Sequence, residues 1–442
     1  MITRTKTGLL KPTYRLNLLH NKISQQDPTS YTEANKLLEW RNAMAVEFLA
    51  LQKQDTWQLV PAPSSKQILG CKWTFRKKLH ADGTVARFKA RLVAQGNQQE
   101  YGLDYVETFS PVAKLPTIRV LFTIALHHAW KIHQLDVENA FLHGDIQETV
   151  YMKQPNRFED PVYPNHICLL RKALYGLKQA PRKCYTTLCN HLLRLGFSPS
   201  KADPYILTFH QGNTKMFLLV YVDDILITGN DEDAISMFLH QLNQTFALKN
   251  LGPANHFLGI RIQYKQDNYF MSQESYAISI IQQANLINCN SAANPSCTKL
   301  PAGHTMESAT LSDHTTYRKI TGALQYLTIT LPDIAYAVNM LSQHMHAPQE
   351  DHIFLKRLIR YIKGTTDFGL PIMKLGLNLT NYSDADWVSD PITRKSTSSY
   401  CTFLDTTLVS WIVKKQTTIS RSSTESEYRA LAASTADTIW LK

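Results

Sequence analysis

The sequence has no C-x-x-C pair. Its seven cysteines are scattered, so neither a zinc knuckle nor a disulfide framework is indicated, and free thiols in a reducing compartment fit. It also lacks any apolar run near the ~20 residues that a membrane span needs. The N-terminal stretch MITRTKTGLLKPTYRL has no apolar core of the signal-peptide kind. Acidic residues are in short supply: 36 Asp and Glu stand against 47 Lys and Arg, giving a formal net charge of +11 and a pI near 9.1. That balance favours a polyanionic partner. A hydrophobic share of 44% excludes bulk disorder, and 442 residues suffice for roughly three domains. These features predict a soluble intracellular protein that touches no membrane. They do not distinguish a cytoplasmic particle from the nucleus, and oligomeric state is open.

The most informative stretch is MFLLVYVDDILITGN, residues 216–230, where two adjacent carboxylates interrupt an apolar β run. Phe217–Val222 and Ile225–Ile227 read as two short buried strands, which makes a hairpin with acids at its tip. A buried unpaired carboxylate is costly, so Asp223 and Asp224 either reach solvent in a turn or hold cations. A third acid, Asp136, ends the strand-like run IHQLDV after an apolar helix over 117–130. Polymerising nucleotides needs two divalent ions ~3.5–4 Å apart, and carboxylates on neighbouring strands supply such a site.

Upstream, residues 1–28 read as a flexible basic leader. Trp40, Met44, Phe48 and Leu51 fall at helical spacing, predicting one amphipathic helix over 32–54 that serves packing. From Cys71 to Arg91 there are seven basic residues against one acid, Asp82, in two strand-like runs flanking the turn signal at 81–84. Alternation places Arg87, Lys89 and Arg91 on one face, either a solvated strand face or a grip for a phosphate chain. Downstream, Ala277, Ile280, Ala284 and Ile287 share a helix face, residues 290–304 read as a linker, and Lys356, Arg360 and Lys363 form a basic side on a helix over 352–363.

Four blocks, QLDVENAFLHGDIQETVYMKQP (134–155), LRKALYGLKQAPRKCY (170–185), YVDDILITG (221–229) and LGPANHFLGIRI (251–262), together resemble the reverse transcriptase of copia-type LTR retrotransposons. CKWTFRKK, RFKARLVAQG, ETFSPVAKLPTIR and YRKITGALQYLTITLPDIAYAVN extend the likeness over nearly the whole chain from about residue 30. The resemblance implies an α+β right-hand polymerase with a split βαβ palm. Fingers and palm would occupy 29–264, a thumb and connection 265–375, and a truncated ribonuclease H-like domain 376–442. It implies an RNA-directed DNA polymerase that uses RNA or DNA template with primer, deoxynucleoside triphosphates and two Mg²⁺ ions, with Mn²⁺ as the alternative. By the family pattern Asp136 and Asp223 are the principal metal ligands and Asp224 adds charge. Phe141 matches the bulky residue that excludes a ribose 2′-hydroxyl. Tyr175, Gly176, Gln179 and Pro181 match the loop on the incoming nucleotide and template. Lys89 and Arg91 match the fingers cations, and Phe257-Leu258-Gly259 the primer grip.

Leu331 departs from the family, which usually carries Arg there, so a local ion pair or phosphate contact is missing. Asp384 and Glu427 match the first two acids of the ribonuclease H site. Because the chain stops at Lys442, ribonuclease H activity is expected to be absent and this half-domain poorly packed. Two other readings stand beside the polymerase: a degenerate retroelement remnant that at most binds nucleic acid, and an unrelated metal-dependent enzyme.

Overall fold

The computed structural model describes residues 27–64, 66–79, 84–110, 113–296, 314–346, 351–390 and 392–442. The leader up to residue 26, the turn signal at 81–83 and the linker from 297 onward lie outside them. The chain divides into two compact units, 1–111 with 139–195, and 112–138 with 196–442. Among the described residues no helix is long and apolar enough to cross a membrane.

In the first unit the expected single helix over 32–54 is two pieces. One turn, Tyr31–Ala34, is capped by the Ser30 side chain, and the longer α1, Leu38–Lys53, follows. The break falls at Lys36–Leu37, where Leu37 adopts extended backbone. Trp40, Met44 and Leu51 of α1 are buried, as their spacing requires. They cover a two-stranded antiparallel ribbon of β1, Cys71–Leu79, and β2, Val85–Ala94. Trp40 meets Phe75 and Phe88 edge-on at 5.4 and 4.9 Å, so one ribbon face is apolar and the other is left to the cations. A second, four-stranded sheet and the helix Ala180–Arg194 complete this unit.

In the second unit, α2, Leu115–His127, leads into β3, Ile132–Val137. Around β3 lies a six-stranded sheet formed with β4, Ile206–Gln211, β5, Thr214–Tyr221, β6, Asp224–Gly229, β7, Leu248–Pro253, and the short Ser198–Pro199 strand. Its order is β7-β3-β6-β5-β4 and then Ser198–Pro199. Both β6 and β7 run antiparallel to β3, so they are parallel to each other and joined by the helix Glu232–Asn243. That is a split βαβ arrangement with β3 inserted between the two strands. The central strands bury Leu135, Leu218, Leu219, Ile225, Leu226 and Ile227, which explains their nearly unbroken apolar runs.

A second sheet comprises β8, His256–Phe257, β9, Ile260–Lys265, β10, Asn268–Ser272, and β11, Gly369–Ile372. Helices α3, Glu274–Gln283, α4, His314–Leu327, α5, Ala335–Gln343, and α6, Asp351–Gly364, share one apolar core. Ala277 and Ile280 are buried there, but Ile287 lies past the end of α3 and is exposed. The basic side of α6 is likewise different from the expected stripe. Arg360 donates to the Asn290 carbonyl at 2.7 Å, and Lys363 donates to the Ile287 carbonyl at 2.6 Å, so both cations secure the segment after α3.

The final segment folds β12, Leu379–Asp386, β13, Thr397–Leu404, and β14, Thr407–Lys415, into an antiparallel sheet under α7, Ser423–Leu441. Its interior is mostly polar: Ser396, Thr402, Ser410, Gln416 and Ser426 are buried beside Ala385, Val409 and Ala430. Hydrogen bonds do the holding. The Asp437 carboxylate of α7 accepts from Thr402 at 2.8 Å, Ser410 at 3.1 Å and Tyr400 at 3.3 Å.

Candidate active site

The sheet of the second unit assembles the acids. β5 and β6 pair from Met216↔Gly229 to Tyr221↔Asp224, leaving Val222 and Asp223 as the turn. Val222 takes φ +57°, a conformation that costs a β-branched residue about 1–2 kcal/mol, and such strain gathers at functional turns. Asp224 is therefore the first residue of β6 and Asp223 stands at the tip. On the other side of β6, Asp224 lies directly opposite Asp136 of β3. The neighbouring pair carries the backbone bond, with Val137 N–H donating to the Asp223 carbonyl at 2.8 Å. Asp136 and Asp224 thus form a non-hydrogen-bonded pair, the kind whose side chains approach most closely.

In register the row continues outward. Lys249 of β7 sits opposite Asp136, and Tyr221 of β5 opposite Asp224. All four residues therefore share one face, with an exposed cation beside one of two half-buried carboxylates. Like charges facing each other across strands are unfavourable without a counter-ion. Hard carboxylate oxygens suit a divalent ion such as Mg²⁺, and the Asp136–Asp224 pair fits that chemistry. Among the described residues, however, no three His, Cys, Asp or Glu side chains converge to hold a metal. Asp223, which the family pattern makes a principal ligand, belongs to the turn rather than to this cross-strand pair.

The Phe257-Leu258-Gly259 turn joins β8 to β9 in the same unit. Phe257 is 1% exposed and meets Tyr221 edge-on at 6.5 Å. Leu258 and Gly259 have φ of +50° and +69°. Gln134, two residues before Asp136, donates its amide to the His256 carbonyl at 2.7 Å, tying this hairpin to β3.

The first unit gathers a different set. The β1–β2 register places Arg76 opposite Lys89 and Lys78 opposite Arg87, two like-charge cross-strand pairs on one face. Burial raises the pKa of Glu47 on α1, and a hydrogen bond from the Leu92 backbone together with the charges of Arg91, Lys89 and Arg87 opposes that rise. Further along the face, the Arg91 guanidinium stands 4.3 Å over the Tyr175 ring, and Tyr175 meets Phe141 edge-on at 4.7 Å. The Arg91 Nε is buried without a hydrogen-bond partner. Cation, ring and ring thus form one contiguous stack, with Lys89 two residues nearer the ribbon tip.

Gly176 is where the Tyr175 loop touches the end of β2. Ala94 N–H donates to the Tyr175 carbonyl at 2.8 Å, and a Cβ on Gly176, at φ +91°, would stand 2.1 Å from the Ala94 oxygen. Only glycine permits this approach. Gln179 is 0% exposed, and its amide is fully engaged: its oxygen accepts from Gln99 at 3.0 Å and its nitrogen donates to the Asp104 carbonyl at 2.9 Å. It anchors the 99–104 loop from inside. Pro181 occupies the first turn of the helix Ala180–Arg194, where a missing N–H costs nothing. Asp384 on β12 and Glu427 in α7 are both exposed.

Sequence reasoning missed Lys249 and the strained Val222. No local pattern marks either residue; cross-strand register and backbone torsion reveal them.

Comparison with known proteins identifies the family. The profile of the family described as reverse transcriptase (RNA-dependent DNA polymerase) matches residues 54–298. The chain is 44% identical over 444 residues to the retrovirus-related Pol polyprotein from transposon RE1 of Arabidopsis thaliana, covering 100% of this chain and 30% of that one. To the corresponding protein from transposon RE2 it is 43% identical over 445 residues, again covering 100% and 30%. A Pol polyprotein from transposon TNT 1-94 of Nicotiana tabacum is 36% identical over 430 residues, 95% of this chain and 32% of that one. The chain therefore spans about a third of the length of these relatives.

Proposed function

Because the chain belongs to the reverse transcriptase (RNA-dependent DNA polymerase) family, we propose that it extends a primer 3′ end with deoxynucleotides on an RNA or DNA template. The observation that carries this reading is the register that sets Asp136 of β3 across from Asp224 of the YVDD hairpin, with Asp223 at its tip.

In this reading the six-stranded sheet is the palm, β1 and β2 belong to the fingers, α3 to α6 make the thumb and connection, and β12 to α7 form a ribonuclease H-like segment. Asp136, Asp223 and Asp224 are the groups that hold divalent metal, Mg²⁺ first. When bound there, such ions lower the pKa of the primer hydroxyl and neutralise charge on the triphosphate. Lys249 tempers the charge on Asp136 and keeps one carboxylate ready to ligate. The stack of Arg91, Tyr175 and Phe141 is assigned to the nucleotide: Arg91 and Lys89 bind phosphate oxygens, and the Phe141 ring excludes a 2′-hydroxyl. Gly176 lets the backbone of that loop lie close, and Gln179 positions it from behind. The Phe257-Leu258-Gly259 turn carries the primer end. Mutual repulsion between opposed carboxylates and an exposed basic ribbon are both what an enzyme of anionic substrates and cationic cofactors requires.

Primer extension on an RNA template with Mg²⁺ tests this directly. Wild-type protein extends, and Asp223→Asn melts like wild type yet incorporates nothing. Incorporation by Asp223→Asn at the wild-type rate contradicts the assignment.

A further inference from the structure

We propose that Tyr326, on α4, is a positioning residue for the primer end: its phenol pins the Phe257-Leu258-Gly259 turn beside the YVDD hairpin. The inference rests on the polymerase reading above and adds a residue to it.

The Tyr326 hydroxyl donates to the Leu258 carbonyl, at the outermost point of the turn. The same oxygen closes over the next residue, because a Cβ on Gly259 would lie 2.8 Å from it while the ring carbon Cζ would be 3.7 Å away. Behind it, Tyr276 of α3 meets the Tyr326 ring edge-on at 5.1 Å. Burial raises the Tyr326 pKa, and the neighbouring phenols of Tyr276 and Tyr221 add to that rise, so Tyr221 of the catalytic hairpin is itself close by. On the far side, Phe257 rests edge-on against Tyr221. The turn is therefore held at two points, by Gln134 of the catalytic strand at His256 and by Tyr326 of the helical region at Leu258.

The balance of effects argues for position over stability. Tyr326 is 36% exposed, so water replaces its hydrogen bond at little cost to folding. What water cannot replace is the direction in which the turn is held. Leu258 and Gly259 form a two-residue hairpin loop, both at positive φ, and a displacement near 1 Å at a reacting centre costs about a hundredfold in rate. A rotation of α4 is thus passed directly to the residues that carry the primer.

The test is single-turnover incorporation on a primed RNA template by wild type, Tyr326→Phe, Gly259→Ala and the double variant, with hydrogen exchange of residues 256–261 in parallel. Tyr326→Phe is expected to lower the incorporation rate at saturating nucleotide about tenfold. Burst amplitude, nucleotide KM and melting temperature stay at wild-type values, and exchange of the hairpin amides speeds up. Gly259→Ala is expected to harm wild type more than it harms Tyr326→Phe, since removing the hydroxyl relieves the close contact but not the backbone strain. An unchanged rate and unchanged exchange in Tyr326→Phe overturn the proposal. So does a loss that comes as reduced burst amplitude with a lower melting temperature, the mark of a merely structural role. Wild-type protein that never extends a primer refutes the polymerase reading itself, and this inference with it.

Discussion

Asp224→Asn should stabilise this protein in the absence of metal while damaging its activity. Asp224 and Asp136 face each other as a non-hydrogen-bonded cross-strand pair, with Cα atoms about 4.5 Å apart. Carboxylates some ~5 Å apart repel by about 3 kcal/mol at an effective dielectric near 20. Both groups are half-buried, so screening by salt and water reduces this to about 1–2 kcal/mol. The two acids are not equivalent. Asp136 faces Lys249 on its other side, whereas the other neighbour of Asp224 is Tyr221. Neutralising either acid removes the repulsion; neutralising Asp136 also removes its attraction to Lys249. In metal-free buffer Asp224→Asn is therefore expected to raise the melting temperature by about 1–2 °C, and Asp136→Asn by less. Added Mg²⁺ should stabilise wild type more than either variant, because the cation relieves what the substitution has already relieved. Thermal melts with and without Mg²⁺ read all of this. If Asp224→Asn melts at or below wild type without metal, or if Mg²⁺ stabilises all three equally, the carboxylates are not an opposed pair awaiting a cation.

Two further outcomes follow from other parts of the structure. Phe141→Ala removes the ring that meets Tyr175 at 4.7 Å, and should lower the preference for deoxy- over ribonucleotides by about tenfold to a hundredfold, read as the ratio of kcat/KM values; an unchanged ratio assigns Phe141 to packing. Asp390 is pushed upward by burial, but the Lys415 ammonium, the Thr393 hydroxyl and the amides of Thr393 and Ile392 outweigh that and hold its pKa below the ordinary value. A depressed folded-state pKa contributes stability that is present above about pH 4 and is lost as pH falls further. Asp390→Asn should accordingly flatten the acid limb of the stability profile, and an unaltered limb refutes the account.

What was legible in the sequence was what neighbouring residues determine. The acids of the YVDD run interrupt a β pattern, Trp40 and Met44 repeat at helical spacing, and the glycine of Tyr175-Gly176 announces a close approach. Register was not legible. Nothing local says that Asp136 pairs with Asp224 while Asp223 occupies the turn, because that depends on how β3 slides against β6. Partners of long side chains were hidden for the same reason. Arg360 and Lys363 have the spacing of a basic stripe, yet backbone carbonyls some seventy residues upstream take their protons. Gln179 sits in a motif that resembles a nucleotide-contacting loop, and its amide is spent inside the protein. Polar side chains read from sequence as exposed will often be braces when a distant carbonyl competes for them.

Arg119 carries this argument furthest. It lies in the ETFSPVAKLPTIR block, on an apolar helix, where a cation is costly unless every donor is met. The fold meets two of them with carbonyls. One guanidinium nitrogen donates to Val409 at 2.9 Å and another to Ile329 at 2.7 Å, while its carbon lies 3.9 Å over the Trp411 ring. Burial pulls its pKa down to about 9, which still leaves it charged at neutral pH. Through this one side chain α2, which leads into β3, holds both the segment after α4 and β14 of the final sheet. Two residues beyond Ile329, Leu331 is buried in the helical core. Asp333 next to it accepts from the Tyr361 hydroxyl. That acid is therefore not left without a donor. The final sheet, for its part, has a mostly polar interior, and Arg119 gives it one hydrogen-bonded anchor from outside.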